Sequence, residues 1–91
     1  MKQVVIKKIV GALGDENDIN IIWDEKPLTV FKKGENEISF DITKTERTIQ
    51  AEIIDESGRS HRSNAYFVLN GKCPTLFLHV NGYRLKLTIN E

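Results

Sequence analysis

The chain has 91 residues, of which 13 are Lys or Arg and 13 are Asp or Glu, so its formal net charge is zero. A chain of this length folds as one domain, residues 1–91, with room for a single core but not for a deep cofactor cavity. Balanced charge disfavours a dedicated nucleic-acid or membrane-surface binder, because such proteins carry an excess of one sign. Cys73 is the single cysteine. It excludes an internal disulfide, so we expect a cytoplasmic protein, or an extracellular one if the chain is an excised domain.

Apolar and polar residues alternate with a period of two, in short runs separated by Gly, Asn, Asp and Pro clusters. Ile49, Ala51 and Ile53, for example, alternate with polar residues, which predicts one buried and one solvated face. The predicted strands cover residues 3–10, 19–24, 28–33, 37–43, 47–54, 64–70, 75–80 and 83–89. The pattern favours an all-β fold, a two-sheet antiparallel β-sandwich of seven to eight short strands, with a small β-barrel as the alternative.

Two turn motifs add a resemblance to a known family. Gly34-Glu35-Asn36-Glu37-Ile38 has the form Gly-x-Asn-x-Ile at the entry of a strand, and Asp55-Glu56-Ser57-Gly58 has the form Asp-x-x-Gly. Together with their flanks, 31–40 and 49–59, they resemble bacterial immunoglobulin-like domains. The resemblance implies an immunoglobulin-like or similar Greek-key sandwich, and it assigns no functional residues.

A β-hairpin is predicted near the carboxy terminus. Asn81-Gly82 suits the two positive-φ positions of a type I′ turn, which would place Val80 opposite Tyr83. The pairs that follow are His79 with Arg84, Leu78 with Leu85, Phe77 with Lys86, Leu76 with Leu87 and Thr75 with Thr88. Because side chains alternate, the even-numbered residues of the first strand and Tyr83, Leu85 and Leu87 would share the core face.

A second hairpin would form if the break at 70–74 placed Leu69 opposite Thr75. The non-core face would then have an apolar end, which consists of Phe67, Leu69 and Phe77. Its other end would be cationic and consist of His79, Arg84 and Lys86. Such a face is covered by a partner, by a second copy, or by the domain's own loop or first strand; scattered exposed apolar residues are also normal. We interpret these six residues as a candidate interaction surface.

A basic loop precedes this region and contains Arg59, His61 and Arg62. Residues 57–90 carry a net charge of +5, whereas residues 1–56 carry −4. If the last strands are adjacent, one surface is positive; if the strands interleave, the asymmetry is dispersed.

Exposed rings beside a basic surface would indicate binding of single-stranded nucleic acid or carbohydrate. For nucleic acid the candidate rings are Phe77, His79 and Tyr83, with the basic loop and Tyr66 beside them. For carbohydrate they are Trp23 and Tyr66, although Trp23 follows Ile21-Ile22 and also suits a core position. Tyr83 is predicted to point into the core.

Catalytic and metal sites are not indicated. Cys73 lies in neither a C-x-x-C motif nor an evident helix amino terminus, and the two histidines have no zinc-site spacing relative to it. Asp15-Glu16-Asn17-Asp18 offers oxygen ligands but lacks the spacing of a calcium-binding loop. We therefore expect no enzyme activity, metal or cofactor.

The sequence as a whole predicts a non-enzymatic protein-interaction or assembly module, which binds a protein partner or itself through the face described above. A ligand-binding module for single-stranded nucleic acid or carbohydrate is the alternative.

Overall fold

The computed structural model describes residues 2–42, 47–68 and 75–89. In these ranges the chain forms nine β-strands. They are β1 Lys2–Val10, β2 Ile19–Trp23, β3 Lys26–Phe31, β4 Glu37–Ile42, β5 Arg47–Ile54, β6 Ser60–Arg62, β7 Tyr66–Val68, β8 Thr75–Asn81 and β9 Arg84–Thr88. No helix among the described residues is long and apolar enough to cross a membrane.

The strands form two sheets. Sheet A has four strands in the order β4-β1-β8-β9; sheet B has five, in the order β3-β2-β5-β6 with β7 also paired to β5. The predicted all-β, two-sheet fold is confirmed, but the prediction of a wholly antiparallel arrangement is wrong, because β1 and β8 run parallel. No hairpin joins these two strands, so no turn dictates their relative direction.

The core lies between the two sheets, where buried apolar side chains from both meet. It consists of Val4, Ile6, Ile19, Ile21, Phe31, Ile49, Ala51, Ile53, Val68, Leu76, Leu78, Val80 and Leu87. The predicted alternation on β5 is confirmed, since Ile49, Ala51 and Ile53 are each at most 1% exposed. Full burial of one such aliphatic side chain is worth about 1.5–3 kcal/mol, so this alternation is the main determinant of the sandwich.

The β8–β9 hairpin has a different register from the predicted one. Asn81 pairs with Arg84 and Val80 pairs with Leu85, so the two loop residues are Gly82 and Tyr83. Gly82 has φ +64° while Tyr83 is not in the positive-φ region, which matches a type II′ turn with glycine in its first central position. Each residue of β8 therefore pairs with a residue two positions further along β9 than predicted. Because side chains alternate with a period of two, the core and outer faces of the hairpin stay as predicted. Tyr83 is the exception, because it lies in the turn and is 43% exposed.

The type I′ turn is instead found between β2 and β3. Asp24 and Glu25 have φ values of 53° and 67°, and Trp23 pairs with Lys26 across them. Strand β3 therefore begins at Lys26 rather than at the predicted residue 28. It includes Pro27. An edge strand tolerates proline, because the proline nitrogen, which has no hydrogen to donate, can face away from the neighbouring strand.

The predicted hairpin between residues 64–70 and 75–80 does not form. Strand β7 pairs with β5 in sheet B, whereas β8 lies in sheet A. Strand β6, which the sequence pattern assigns to a loop, occupies the other half of the same β5 edge. Strands β7 and β8 therefore lie in different sheets, and the predicted turn at 70–74 lies outside the described residues.

Asn64 links the two sheets at the interruption between β6 and β7. Its amide group donates to Leu87 O at 3.0 Å and accepts from Leu87 N at 2.8 Å. One side chain thus makes the two hydrogen bonds that a neighbouring strand would make with β9. This closes part of an otherwise unpaired sheet edge, the position at which β proteins are prone to edge-to-edge association.

Candidate interaction surface

The side of sheet A that points away from the core is defined here as the A face. The register of β4, β1, β8 and β9 places its outward residues. They are Glu37, Ser39 and Asp41 on β4, Gln3, Val5, Lys7 and Ile9 on β1, Thr75, Phe77 and His79 on β8, and Arg84, Lys86 and Thr88 on β9.

The centre of the A face is apolar. Phe77 lies beside Lys7 on the neighbouring strand, and Val5 and Ile9 are its diagonal neighbours on either side. All three apolar side chains are partly exposed, and no other described strand lies over them, because the other side of sheet A faces sheet B. Of the alternatives for what covers Phe77, the first strand does not lie over it, since β1 lies beside Phe77 in the same sheet.

The two edges of the A face have opposite charge. Glu37 and Asp41 lie on edge strand β4, while Arg84 and Lys86 lie on edge strand β9. Among the described residues no carboxylate lies within ion-pair distance of either cation. Lys7, between the two edges, is 3.9 Å from Glu37, and both side chains are more than half exposed, so this pair contributes little to stability.

The A face has two shallow depressions, one towards its acidic edge and one at its basic edge. One of about 330 Å³ is lined by Lys7, Ile9, Glu37 and Phe77, among others. The second, of about 200 Å³, lies on the β8–β9 hairpin and is lined by His79, Asn81, Arg84, Leu85 and Lys86. His79 Nε2 lies 3.0 Å from Thr88 Oγ1, which holds the imidazole ring against β9.

The predicted interaction surface is divided between the sheets. Phe77, His79, Arg84 and Lys86 come together on the A face, as the hairpin pattern predicts. Phe67 does not join them, because it lies on β7 in sheet B, where it is 50% exposed. Leu69 lies outside the described residues.

The basic loop does not form one patch, because His61 and Arg62 lie on β6 and point to opposite sides of sheet B. Arg62 donates to Glu52 Oε2 at 2.7 Å. The Ser60 hydroxyl, and after it the Arg62 guanidinium, hold the pKa of Glu52 below its ordinary value. Arg59 is exposed in the preceding loop, so the positive charge is dispersed, as the interleaving interpretation predicts.

His61 instead joins the two sheets. Its ring stacks on Tyr83 of the β8–β9 turn, with ring centroids 4.7 Å apart and an interplanar angle of 18°. His61 Nε2 lies 2.8 Å from Asp55 Oδ2. The contact with His61, followed by hydrogen bonds from Ser57 and the Arg59 backbone N–H, holds the pKa of Asp55 well below its ordinary value. The sequence pattern misses this contact because it assigns residue 61 to a loop and residue 83 to the core.

The acidic segment 15–18 stabilises the fold through hydrogen bonds and an ion pair with β1 and the loop after β3. Asp15 Oδ2 accepts from Lys8 Nζ at 2.8 Å and from Gly34 N at 3.1 Å, and Asp18 Oδ1 accepts from Lys33 N at 2.9 Å. The Lys8 side chain is 0% exposed and that of Asp15 is 10% exposed. Within residues 2–42, 47–68 and 75–89 there is no group of three or more His, Cys, Asp or Glu placed to hold a metal ion. Cys73 lies outside these ranges.

Of the rings considered for nucleic acid, Phe77 and His79 lie on the A face, whereas the two rings considered for carbohydrate pack against the core. Trp23 and Tyr66 are both partly buried and packed against the core cluster. Trp23 makes an edge-on contact with Phe40 across the two sheets, with centroids 6.4 Å apart. Neither ring is therefore presented as a flat stacking surface.

Comparisons with models of protein families, with curated proteins and with solved structures found no match to this chain.

Proposed function

We propose that the chain is a non-enzymatic protein-interaction or assembly module and that the A face is its contact surface. The single observation that supports this most strongly is the apolar centre formed by Val5, Ile9 and Phe77, which is partly exposed and flanked by an acidic edge and a basic edge. An apolar centre with a polar rim is the usual anatomy of a protein contact surface, and charge on the rim sets orientation and association rate.

The proposal includes an immunoglobulin-like version of the sandwich. It is supported by the turn motifs, because Gly34 has φ +86° just before β4 and Gly58 has φ +86° in the β5–β6 loop. A Greek-key connectivity of that kind would leave both outer sheet faces available for contacts.

The alternative, a module for single-stranded nucleic acid or carbohydrate, is supported by the depression beside Arg84 and Lys86. Its nucleic-acid form is also supported by the rings of Phe77 and His79 on the A face, whereas its carbohydrate form is weakened because Trp23 and Tyr66 pack against the core. A gel-shift titration with mixed-sequence single strands at low salt tests it. Retardation that Arg84→Glu abolishes would favour this alternative over a protein partner.

Site-specific photo-crosslinking tests the proposed function. Benzoylphenylalanine replaces Phe77 on the A face or, as a control, Phe67 on sheet B, an aromatic residue that is more exposed than Phe77. The chain is then irradiated at native abundance in cells of its source organism and, because two copies would associate weakly through a face of this size, also as the purified protein at about 1 mM. We expect discrete protein adducts from position 77 and none from position 67. Absence of adducts from position 77, or the same adducts from both, would overturn the proposal.

A further inference from the structure

We propose that the partner of the A face is a second copy of this chain, packed face to face about a two-fold axis that runs parallel to the strands. This inference rests on the proposed function and names its partner. It comes from the charge arrangement: the acidic residues lie on β4 and the basic residues on β9, which are opposite edges of the same four-stranded sheet. A face with opposite charge on its two edges can be complementary to itself, as the isologous interface of a symmetric dimer requires.

The charges also select the direction of the axis. Two copies that face each other about an axis parallel to the strands exchange left and right, so β4 of one copy lies over β9 of the other. Glu37 is in line with Thr88 across the sheet, and Lys86 is the next outward residue along β9. Glu37 is therefore brought next to Lys86 of the second copy. An axis perpendicular to the strands would place β4 over β4 and bring like charges together, which costs several kcal/mol.

The apolar centre fits the same operation. With the axis between β1 and β8, each β1 lies over the β8 of the other copy. The Phe77 ring of one copy then lies over Lys7 of the other, with Val5 and Ile9 on either side to receive it. The aliphatic stem of Lys7 packs under the ring while its ammonium group reaches the rim. The contact therefore buries the three partly exposed apolar side chains of each copy.

The size of the face predicts a weak dimer. Four strands about 4.8 Å apart and about six residues long give a face of roughly 15 by 20 Å. Two such faces bury less than the roughly 1,000 Å² that a stable interface exceeds, so we expect association in the range of about 10 μM to 1 mM. Because the charges are on the rim, salt weakens the dimer.

Sheet B is the comparison surface. Its outward Arg62 is already paired with Glu52 of the same copy, and Phe67 lies on this sheet rather than on the A face. Substitutions at Phe67 are therefore controls for substitutions at Phe77.

Sedimentation equilibrium with charge-swapped variants tests the proposal. Glu37→Lys alone places two like-charged pairs in the dimer, and Lys86→Glu alone does the same. We expect each variant to associate at least about tenfold more weakly than the unsubstituted chain. In an equimolar mixture of the two variants, the introduced positive charge at position 37 of one meets the introduced negative charge at position 86 of the other. The remaining pair is the unsubstituted one, so we expect the mixture to form a dimer again. Circular dichroism confirms that each variant is folded.

Phe77→Glu and Phe67→Glu form the second arm, and we expect only the former to abolish association. Several outcomes would overturn the proposal: a monomer at all concentrations in low salt, association unaffected by Glu37→Lys, or a mixture that stays monomeric. Crosslinking from position 77 distinguishes failure of this proposal from failure of the proposed function. Adducts with a different protein, together with a monomeric chain, would reject the dimer and retain the contact surface.

Discussion

The buried ion pair between Lys8 and Asp15 offers the sharpest stability prediction. Lys8 Nζ is 2.8 Å from the carboxylate, 3.0 Å from Lys32 O and 4.2 Å from the centre of the Phe31 ring. At an effective dielectric constant of about 20, charges at this separation attract by about 6 kcal/mol, which offsets a desolvation cost of several kcal/mol per ion. Lys8→Met removes the attraction and leaves the Asp15 charge buried. We therefore expect it to lower the free energy of unfolding by about 3–5 kcal/mol.

A double-mutant cycle measured by urea unfolding checks this value. Asp15→Asn keeps an oxygen that can accept from Gly34 N and removes the negative charge. The Lys8→Met, Asp15→Asn double variant should lose less than the sum of the two single variants, with a coupling energy of about 2–4 kcal/mol. Because the pair is shielded from solvent, the loss should persist in about 1 M salt. A Lys8→Met variant within about 1 kcal/mol of the unsubstituted chain, or a coupling energy near zero, would show that the ion pair does not stabilise the fold.

Three further predictions concern the links between the sheets. Asn64→Ala removes two hydrogen bonds to Leu87 and should lower the free energy of unfolding in urea by about 1–3 kcal/mol. Asn64→Asp should lower it at least as much at pH 7, because a carboxylate would face Leu87 O. An effect below about 0.5 kcal/mol for both variants would contradict the bridging role of Asn64. The depressed pKa of Asp55 means that its ionised form stabilises the fold above its unfolded-state value of 3.8 and that this contribution is lost as pH falls below it. Asp55→Asn should therefore lower the urea midpoint at pH 7 with a difference that shrinks below about pH 4, whereas a pH-independent difference would show that the contact with His61 is not electrostatic. Gly82→Ala places a Cβ in the positive-φ region and should lower stability by about 1–2 kcal/mol by thermal unfolding; an unchanged midpoint would contradict the turn assignment.

The sequence pattern predicts the strands better than their partners. The alternation of Ile49, Ala51 and Ile53 specifies which face of β5 is buried, because apolar burial dominates the free energy of a strand with one solvated face. The same pattern does not specify whether β7 pairs with β8 or with β5, since both pairings bury Val68. Pairing between strands that are distant in sequence depends on the tertiary arrangement of the whole chain, which a local sequence pattern does not specify.

The predicted turn near the carboxy terminus lies one residue away from the observed turn for a local reason. Asn81-Gly82 has the composition of a type I′ turn, yet Asn81 is used elsewhere, since its side chain accepts from Leu13 N at 2.7 Å. This contact holds Asn81 in β8 and moves the turn to Gly82 and Tyr83. Asp24-Glu25 adopts a type I′ turn although it lacks glycine. The pairing of Trp23 with Lys26 leaves only these two residues for the loop, and the twist of the two strands favours this turn type.

The candidate surface is predictable from the sequence only in part. The hairpin pattern brings together Phe77, His79, Arg84 and Lys86, because a change of register by two residues keeps each side chain on its face. The contributions of Val5 and Ile9 could not be predicted, since they depend on the parallel pairing of β1 with β8. The acidic edge on β4 depends on the pairing of that strand with β1, which is likewise not apparent from the sequence.

A concentration series of ¹H–¹⁵N correlation spectra at low salt tests the proposed dimer residue by residue. A dimer formed through the A face predicts that shift changes between about 50 μM and 1 mM, the range expected for a face of this size, cluster at Val5, Lys7, Glu37, Phe77 and Lys86. They should disappear in Phe77→Glu, and amides on the outer side of sheet B should not shift. Spectra that do not change with concentration, or changes centred on Phe67, would contradict it.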